Sequence, residues 1–180
     1  MNATEGRTEE KQMAIELDDD AQDAVSRLFA LINLGDTQQT SRQFTLLEEA
    51  LEDAEEEDAD AETLLYQIKE IIDWESGFYV DWKDAESFIG CLNQLCERID
   101  LEIDWGTDDT EDEDFLEGTS VPELMELAAD QLRVAGYTLW NWDTGGDAYA
   151  GWITRSEDDD EMLEIADTLG FDIRSGDQPF

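Results

Sequence analysis

Histidine is absent from this chain, and lysine and arginine together supply only ten of its 180 residues. Without histidine, catalysis by a nucleophile–histidine pair is excluded. The ten basic residues stand against 50 acidic ones, which leaves a net charge of −40. Self-repulsion on this scale opposes compaction and keeps a protein soluble and monomeric. We therefore expect one of three reasons for the charge: binding to a basic partner, adaptation to a salt-rich cytoplasm, or a role as an anionic decoy.

Cysteine is also scarce, with Cys91 and Cys96 as the two copies. They lie five residues apart in a helical pattern, so their side chains project in different directions and no disulfide is expected. A C-x4-C spacing without histidine does not match a zinc ligand set. We predict two buried free thiols that pack as small hydrophobic groups. A glycine-rich phosphate loop is also missing, and no cofactor is predicted.

Long hydrophobic runs are missing as well. No apolar run approaches the roughly 18 residues that are needed to span a bilayer. The segment Met1–Asp20 lacks the basic region and the apolar stretch of a signal peptide. These absences predict a cytoplasmic protein. Anionic membranes and nucleic acids would repel a surface of −40, so neither membrane binding nor direct nucleic-acid binding is expected.

The apolar content is high enough for a folded core. Hydrophobic residues make up 41% of the chain and aromatic residues 9%, whereas a disordered acidic tail would be poor in both. We predict a disordered N-terminus over residues 1–17 and a single α+β domain over residues 18–180. Within that domain, residues 18–75 form a helical section and residues 76–176 contain the sheet.

Hydrophobic periodicity predicts the elements of this α+β domain. The helical section contains three helices. After it, alternating patterns predict strands, and capping residues such as Asp84 and Ser120 mark the starts of helices between them. The predicted strands are residues 78–82, 101–105, 137–142, 148–154 and 171–174. Segments 78–105 and 148–174 both show a strand–helix–strand pattern. The sum is a small mixed sheet of about four to five strands, with helices on one face and the three-helix section packed onto it.

Two acidic runs are candidate partner-binding sites. In Glu48–Glu62, ten of fifteen residues are acidic. As a helix this run would be roughly 22 Å long, with about one charge per 2 Å, close to the one per roughly 1.7 Å of duplex DNA. The alternatives are a solvated acidic face without a partner and weak metal chelation. The predicted acidic patch consists of Glu48, Glu49, Glu52, Asp53, Glu55, Glu56, Asp58, Asp60, Asp108, Asp109, Asp112 and Asp114.

The second run, Asp108–Glu117, does not match a calcium loop. Counted from Asp108, an EF-hand needs glycine at position six and glutamate at twelve, where this chain has Glu113 and Thr119. No metal site is predicted. The triplet Asp143-Thr144-Gly145 is typical of aspartic proteases, but their chemistry needs two such copies and one is present. We predict a hairpin turn there and no enzymatic activity.

The six tryptophans allow two interpretations. They are Trp74, Trp82, Trp105, Trp140, Trp142 and Trp152. They fill the core between sheet and helices, or some of them are exposed anchors of an interface, where tryptophan is enriched. Trp140 and Trp142 are expected on the same face of their strand.

Three motifs resemble those of a known family. They are Val80-Asp81-Trp82-Lys83, Ile103-Asp104-Trp105-Gly106 and Leu139-Trp140-Asn141-Trp142-Asp143-Thr144-Gly145-Gly146-Asp147-Ala148-Tyr149. Through them, residues 78–174 resemble an uncharacterised bacterial family, a domain of unknown function. The resemblance implies one small α+β domain and adds no catalytic residues. In charge and size alone, the chain also resembles acidic immunity proteins of bacterial toxins and DNA mimics.

The leading hypothesis is a non-enzymatic acidic protein that inhibits or occludes a basic partner by electrostatic mimicry. The partner in this hypothesis is a nuclease toxin or a nucleic-acid-binding protein. The alternative is an ordinary cytoplasmic domain whose acidity is salt adaptation. Three lysines against seven arginines fit that alternative, but 30 leucines and isoleucines against four valines do not. A third hypothesis, an enzyme that uses clustered carboxylates and a divalent metal, has no localised site in the sequence.

Overall fold

The computed structural model describes residues 19–53, 61–72 and 74–180, so the predicted disordered segment 1–17 lies outside the described residues. Within these ranges the chain forms seven α-helices, four strands and the 3-10 turn Ser156–Asp158. The elements are α1 (Asp19–Ile32), α2 (Thr37–Asp53), α3 (Ala61–Ile71), β1 (Phe78–Asp81), α4 (Ala85–Glu97), α5 (Glu113–Gly118), α6 (Val121–Val134), β2 (Tyr137–Trp142), β3 (Ala148–Arg155), α7 (Asp159–Leu169) and β4 (Ile173–Ser175).

The four strands form one sheet in the order β1-β3-β2-β4. All three pairings are antiparallel, and Trp140 lies opposite Trp152 at the centre. The α+β class is confirmed, but the prediction of a mixed sheet is wrong. A short turn joins β2 to β3 as a hairpin, and a hairpin makes its two strands antiparallel.

The predicted strand at residues 101–105 is wrong. This segment joins no strand of the described sheet, and it forms hydrogen bonds with a side chain of α6 instead. Gln131 accepts a hydrogen bond from the Asp104 amide at 2.9 Å and donates one to the Asp104 carbonyl, also at 2.9 Å. Ile103 and Trp105 are buried in the core formed with α4 and α6. The alternating pattern therefore reflects one side of a segment packed on helices, and the proposed repeat of segment 78–105 lacks its second strand.

Helices cover both faces of the sheet, so the prediction of helices on one face is also wrong. Leu139 and Ile153 pack with α4 and α6 on one face. Trp140 and Trp152 pack with α1, α2, α3 and α7 on the other face. Five of the six β2 residues are buried. A strand that is apolar on both sides must be covered on both sides. Helices from the two ends of the chain form one covering layer, and α4 and α6 from its middle form the other.

The predicted starts of two helices are confirmed. Asp84 caps α4 by accepting a hydrogen bond from the Ser87 amide. Ser120 and Glu123 form the reciprocal capping box that opens α6, and the hydrogen bonds from Ser120 lower the pKa of Glu123. Among the helices in the described ranges, none is both long and apolar enough to cross a membrane.

Gly90 offers a test of helix α4. It is exposed, and a methyl group built on it meets no atom within 4 Å. Gly90→Ala is expected to stabilise the protein by about 0.5–1 kcal/mol, because glycine loses more backbone entropy than alanine in a helix. Thermal melts measure the effect. Gly35→Ala is the control: it is equally open but has φ of +89°, and is expected to lower Tm. A lower Tm for Gly90→Ala would contradict the expectation.

Candidate functional site

The acidic segment Asp108–Glu117 has an ordered backbone. Asp109 accepts a hydrogen bond from the Glu111 amide at 3.0 Å, and Asp112 caps α5 by accepting one from the Phe115 amide at 2.9 Å. Phe115 and Leu116 pack against the core of α4 and α6. The apolar residues thus hold the segment to the domain.

All seven acidic side chains of this segment are exposed. Within the described part of the chain, none of them forms an ion pair with lysine or arginine. Nor do the described residues contain a group of three or more side chains that could hold a metal ion. Among the described residues, therefore, no lysine or arginine neutralises the carboxylates of this segment.

The described residues from the other half of the predicted patch lie on a helix of the opposite layer. Glu48, Glu49 and Glu52 are exposed on α2, and Leu47 and Leu51 of the same helix pack in the core with Trp152. The side chain of Asp53 and the residues Glu55, Glu56, Asp58 and Asp60 lie outside the described residues. The α2 and α5 carboxylates thus belong to helices on opposite faces of the sheet and do not form one described cluster.

The helices α1 and α7 together form a third acidic surface. The site prediction omitted this surface. Arg27 donates to Glu161 at 2.8 Å and lies 3.3 Å from Glu164 and 3.7 Å from Asp23. The hydrogen bond with Glu161 raises the pKa of Arg27. The acidic run at the start of α7 could have indicated this surface, but not its pairing with a cation 134 residues earlier.

The start of α7 is held in a similar way. Arg133 lies 2.6 Å from Asp159, which also accepts a hydrogen bond from the Thr138 hydroxyl at 2.5 Å. Burial, and the charges of neighbouring acids including Glu157, raise the pKa of Asp158. Arginines of the same chain therefore partly neutralise the acids around α1 and α7. The acids of Asp108–Glu117 have no such partner among the described residues.

A groove of about 410 Å³ lies beside the Asp108–Glu117 segment. It is bounded by the N-terminal ends of α4 and α6 and by the end of α5. Trp82, Ala85 and Leu116 supply apolar lining. The side chain of Trp82 is 46% exposed, and the Lys83 ammonium lies 4.5 Å from its ring centroid. The groove thus combines an accessible aromatic face with a bound cation from the chain itself.

A second cleft, of about 920 Å³, separates the helical section from α4. Its lining includes acids and the bases Arg42 and Arg98. Arg98 donates to the carbonyls of Glu75 and, at 3.1 Å, of Ile32. These bonds tie the end of α1 to the loop before β1. The charge in this cleft is mixed, and Arg98 links α4 to the end of α1 and to the loop before β1.

The tryptophans divide into four buried and two exposed residues. Trp105, Trp140, Trp142 and Trp152 are buried, and Trp140 and Trp142 share a face as predicted. Trp74 and Trp82 are 55% and 46% exposed. Two surface tryptophans are therefore available for contact with another molecule.

The remaining candidates for chemistry are Asp143 and the two cysteines. Asp143 accepts a hydrogen bond from the Gly145 amide at 2.9 Å in the turn between β2 and β3, as expected for a hairpin. Cys91 and Cys96 are free thiols. Burial raises the pKa of Cys91 and raises that of Cys96 to about 11. At both positions the raised pKa favours the thiol over the reactive thiolate.

The chain was compared with known families, curated proteins and solved structures. A family model described as "Domain of unknown function (DUF6630)" matches residues 24–176. No curated protein and no solved structure matches. The match confirms the resemblance to an uncharacterised family and extends it from the sheet-containing section to the N-terminal helices. The chain belongs to the DUF6630 family, a domain of unknown function.

Proposed function

We propose that this protein is a non-enzymatic acidic binding protein that occupies the basic groove of a nuclease toxin or a nucleic-acid-binding protein. The observation that carries the proposal is the set of exposed carboxylates in Asp108–Glu117, which backbone hydrogen bonds hold in place and which meet no lysine or arginine among the described residues. A protein groove that binds nucleic acid presents arginines and lysines to phosphates. Carboxylates fixed on a folded surface can occupy the same positions.

The order of the segment matters for affinity. Binding costs free energy when loops and side chains must be immobilised. Here turns and the α5 cap already fix the backbone, and Phe115 and Leu116 hold it to the core. The high net charge adds a second effect, because complementary fields accelerate encounter with a basic protein. Fast association followed by occlusion of the groove is the mechanism we propose.

The test begins with capture of salt-elutable proteins from the native host on the immobilised chain. The affinity of a captured basic protein is then measured for a variant that combines Asp108→Asn, Glu113→Gln and Asp114→Asn. These positions avoid the cap residue Asp112. We expect about tenfold weaker binding, since three exposed ion pairs contribute roughly 0.2–1 kcal/mol each. Duplex DNA in excess is expected to displace the chain.

The matched control combines Glu48→Gln, Glu49→Gln and Glu52→Gln on α2. It removes the same charge from the opposite layer, so it reports the effect of net charge alone, and we expect a loss of less than threefold. Equal losses in the two variants would contradict a site on Asp108–Glu117. If duplex DNA displaced the chain from none of the captured proteins, the proposed function would be contradicted. A chain that folds only in molar salt would instead favour salt adaptation.

A further inference from the structure

The groove of about 410 Å³ that Trp82 lines is called the Trp82 groove below. It lies beside the Asp108–Glu117 segment, where a basic partner would bind. Leu116 and Glu117, at the end of this segment, line the groove directly. Asp84 and Glu86 line it from the start of α4, and both are exposed. The lining thus combines three carboxylates with apolar side chains, and Lys83 is its single basic residue. This arrangement complements a side chain that is flat, apolar on its faces and positively charged.

Lys83 already shows that the Trp82 ring accepts a cation, since its ammonium lies 4.5 Å from the ring centroid. That lysine is exposed, and an ammonium is a compact, strongly hydrated charge. A guanidinium is planar, more weakly hydrated and stacks on aromatic faces. It also donates hydrogen bonds in a fork that matches a carboxylate. An arginine from outside therefore has physical advantages over Lys83 for the same position.

We propose that the Trp82 groove is the anchor site for an arginine side chain of the basic partner, which displaces Lys83, stacks on the indole ring and binds the rim carboxylates. This inference rests on the proposed function and deepens it, because it gives that function a specific contact in addition to a charged surface. Interface energy usually concentrates in a few anchors held in pockets and surrounded by a polar rim.

The chain contains matched controls for both residues of the stack. Trp74 is exposed to a similar extent, 55% against 46%, but lies in the other cleft. Lys69 also lies over an aromatic ring, 4.2 Å from the centroid of Tyr79. Trp82→Ala and Trp74→Ala therefore remove comparable surface, and Lys83→Ala and Lys69→Ala remove the same charge.

The experiment measures the affinity of a nona-arginine peptide by titration calorimetry near physiological salt. We expect Trp82→Ala to weaken binding about tenfold and Trp74→Ala less than twofold. Lys83→Ala is expected to strengthen binding about threefold, because the competing cation is gone, with Lys69→Ala unchanged within 1.5-fold. A nona-lysine peptide should bind the native chain more weakly and respond less to Trp82→Ala. The Trp82 indole N–H resonance, assigned from the variant, should shift on addition of nona-arginine.

The outcomes separate the anchor from the general function. Equal effects of Trp82→Ala and Trp74→Ala, or of Lys83→Ala and Lys69→Ala, would overturn the anchor site. If the triple variant at Asp108, Glu113 and Asp114 still weakened peptide binding in that case, the proposed function would stand without the groove. Absence of nona-arginine binding to the native chain would overturn both proposals.

Discussion

Gly151→Ala is expected to lower the free energy of unfolding by at least about 3 kcal/mol, the upper end for overpacking of a core. Gly151 lies in β3, one of the two central strands, which pairs with β1 on one side and β2 on the other. A methyl group there would overlap the carbonyl oxygen of Trp140, and would lie 2.9 Å from its carbonyl carbon and 3.0 Å from the Phe78 ring. Because two of these atoms belong to the neighbouring backbone, a change of side-chain rotamer cannot relieve the overlap.

Thermal and denaturant unfolding of the variant measure this loss. For a domain of this size, about 3 kcal/mol corresponds to a decrease in Tm of about 6–12 °C. Gly146→Ala is the matched control in the nearby β2–β3 turn, where an added methyl meets nothing within 4 Å and φ is not positive. We expect its Tm to stay within 2 °C of the native value, roughly the effect of a surface substitution. A Gly151→Ala variant as stable as this control would refute the close approach of β2 and β3.

Ser76→Ala is expected to cost about 2–4 kcal/mol, because it leaves two buried polar groups unpaired at roughly 1–3 kcal/mol each. A closed ring of hydrogen bonds links three parts of the chain. It consists of Asn33 just after α1, Gln43 in α2 and Ser76 in the loop before β1. Asn33 donates to Gln43 at 2.7 Å, Gln43 donates to Ser76 at 2.8 Å, and Ser76 donates to Asn33 at 2.6 Å. The three residues are at most 2% exposed. Loss of the Ser76 hydroxyl leaves the Gln43 amide without an acceptor and the Asn33 carbonyl without a donor.

Denaturant titrations of the single and double variants measure the coupling in this ring. Gln43→Met keeps the length of the side chain and removes its polar atoms. The Ser76→Ala, Gln43→Met double variant is expected to lose less free energy of unfolding than the two single variants together. Each substitution removes a polar group that the other would leave without a hydrogen-bond partner. Ser26→Ala, at an exposed serine of α1, is the control and should change little. Strict additivity would show that the ring does not act as a unit.

Local patterns were sufficient for most elements of the fold. The spacing of apolar residues identified the helices, and Asp84 and Ser120 marked two helix starts because capping depends on residues within one turn. The 101–105 segment shows where such reasoning fails. Its alternation correctly placed Ile103 and Trp105 in the core, but a pattern within one segment does not state its hydrogen-bonding partner. That partner is Gln131, a side chain distant in sequence.

The candidate site was partly predictable for the same reason. The acidic run from Asp108 and the tryptophan at the end of β1 are visible in the sequence. Their proximity is not, because the Trp82 groove forms only where the ends of α4, α5 and α6 meet. Nor could the sequence separate the α2 carboxylates from those of Asp108–Glu117, since periodicity indicates which side of a helix is buried and not which face of the sheet it covers.

The sequence by itself determined the chemical limits of this protein: its charge of −40, the absence of histidine, and an apolar content sufficient for a core. These follow from composition and need no arrangement in space. The tertiary structure alone decided which acids remain unpaired. Arg27 reaches Glu161 across 134 residues of chain, whereas the acids from Asp108 to Glu117 meet no lysine or arginine among the described residues. Ion pairing depends on distances of a few ångströms between side chains, and only the packing of the helices on the sheet sets those distances.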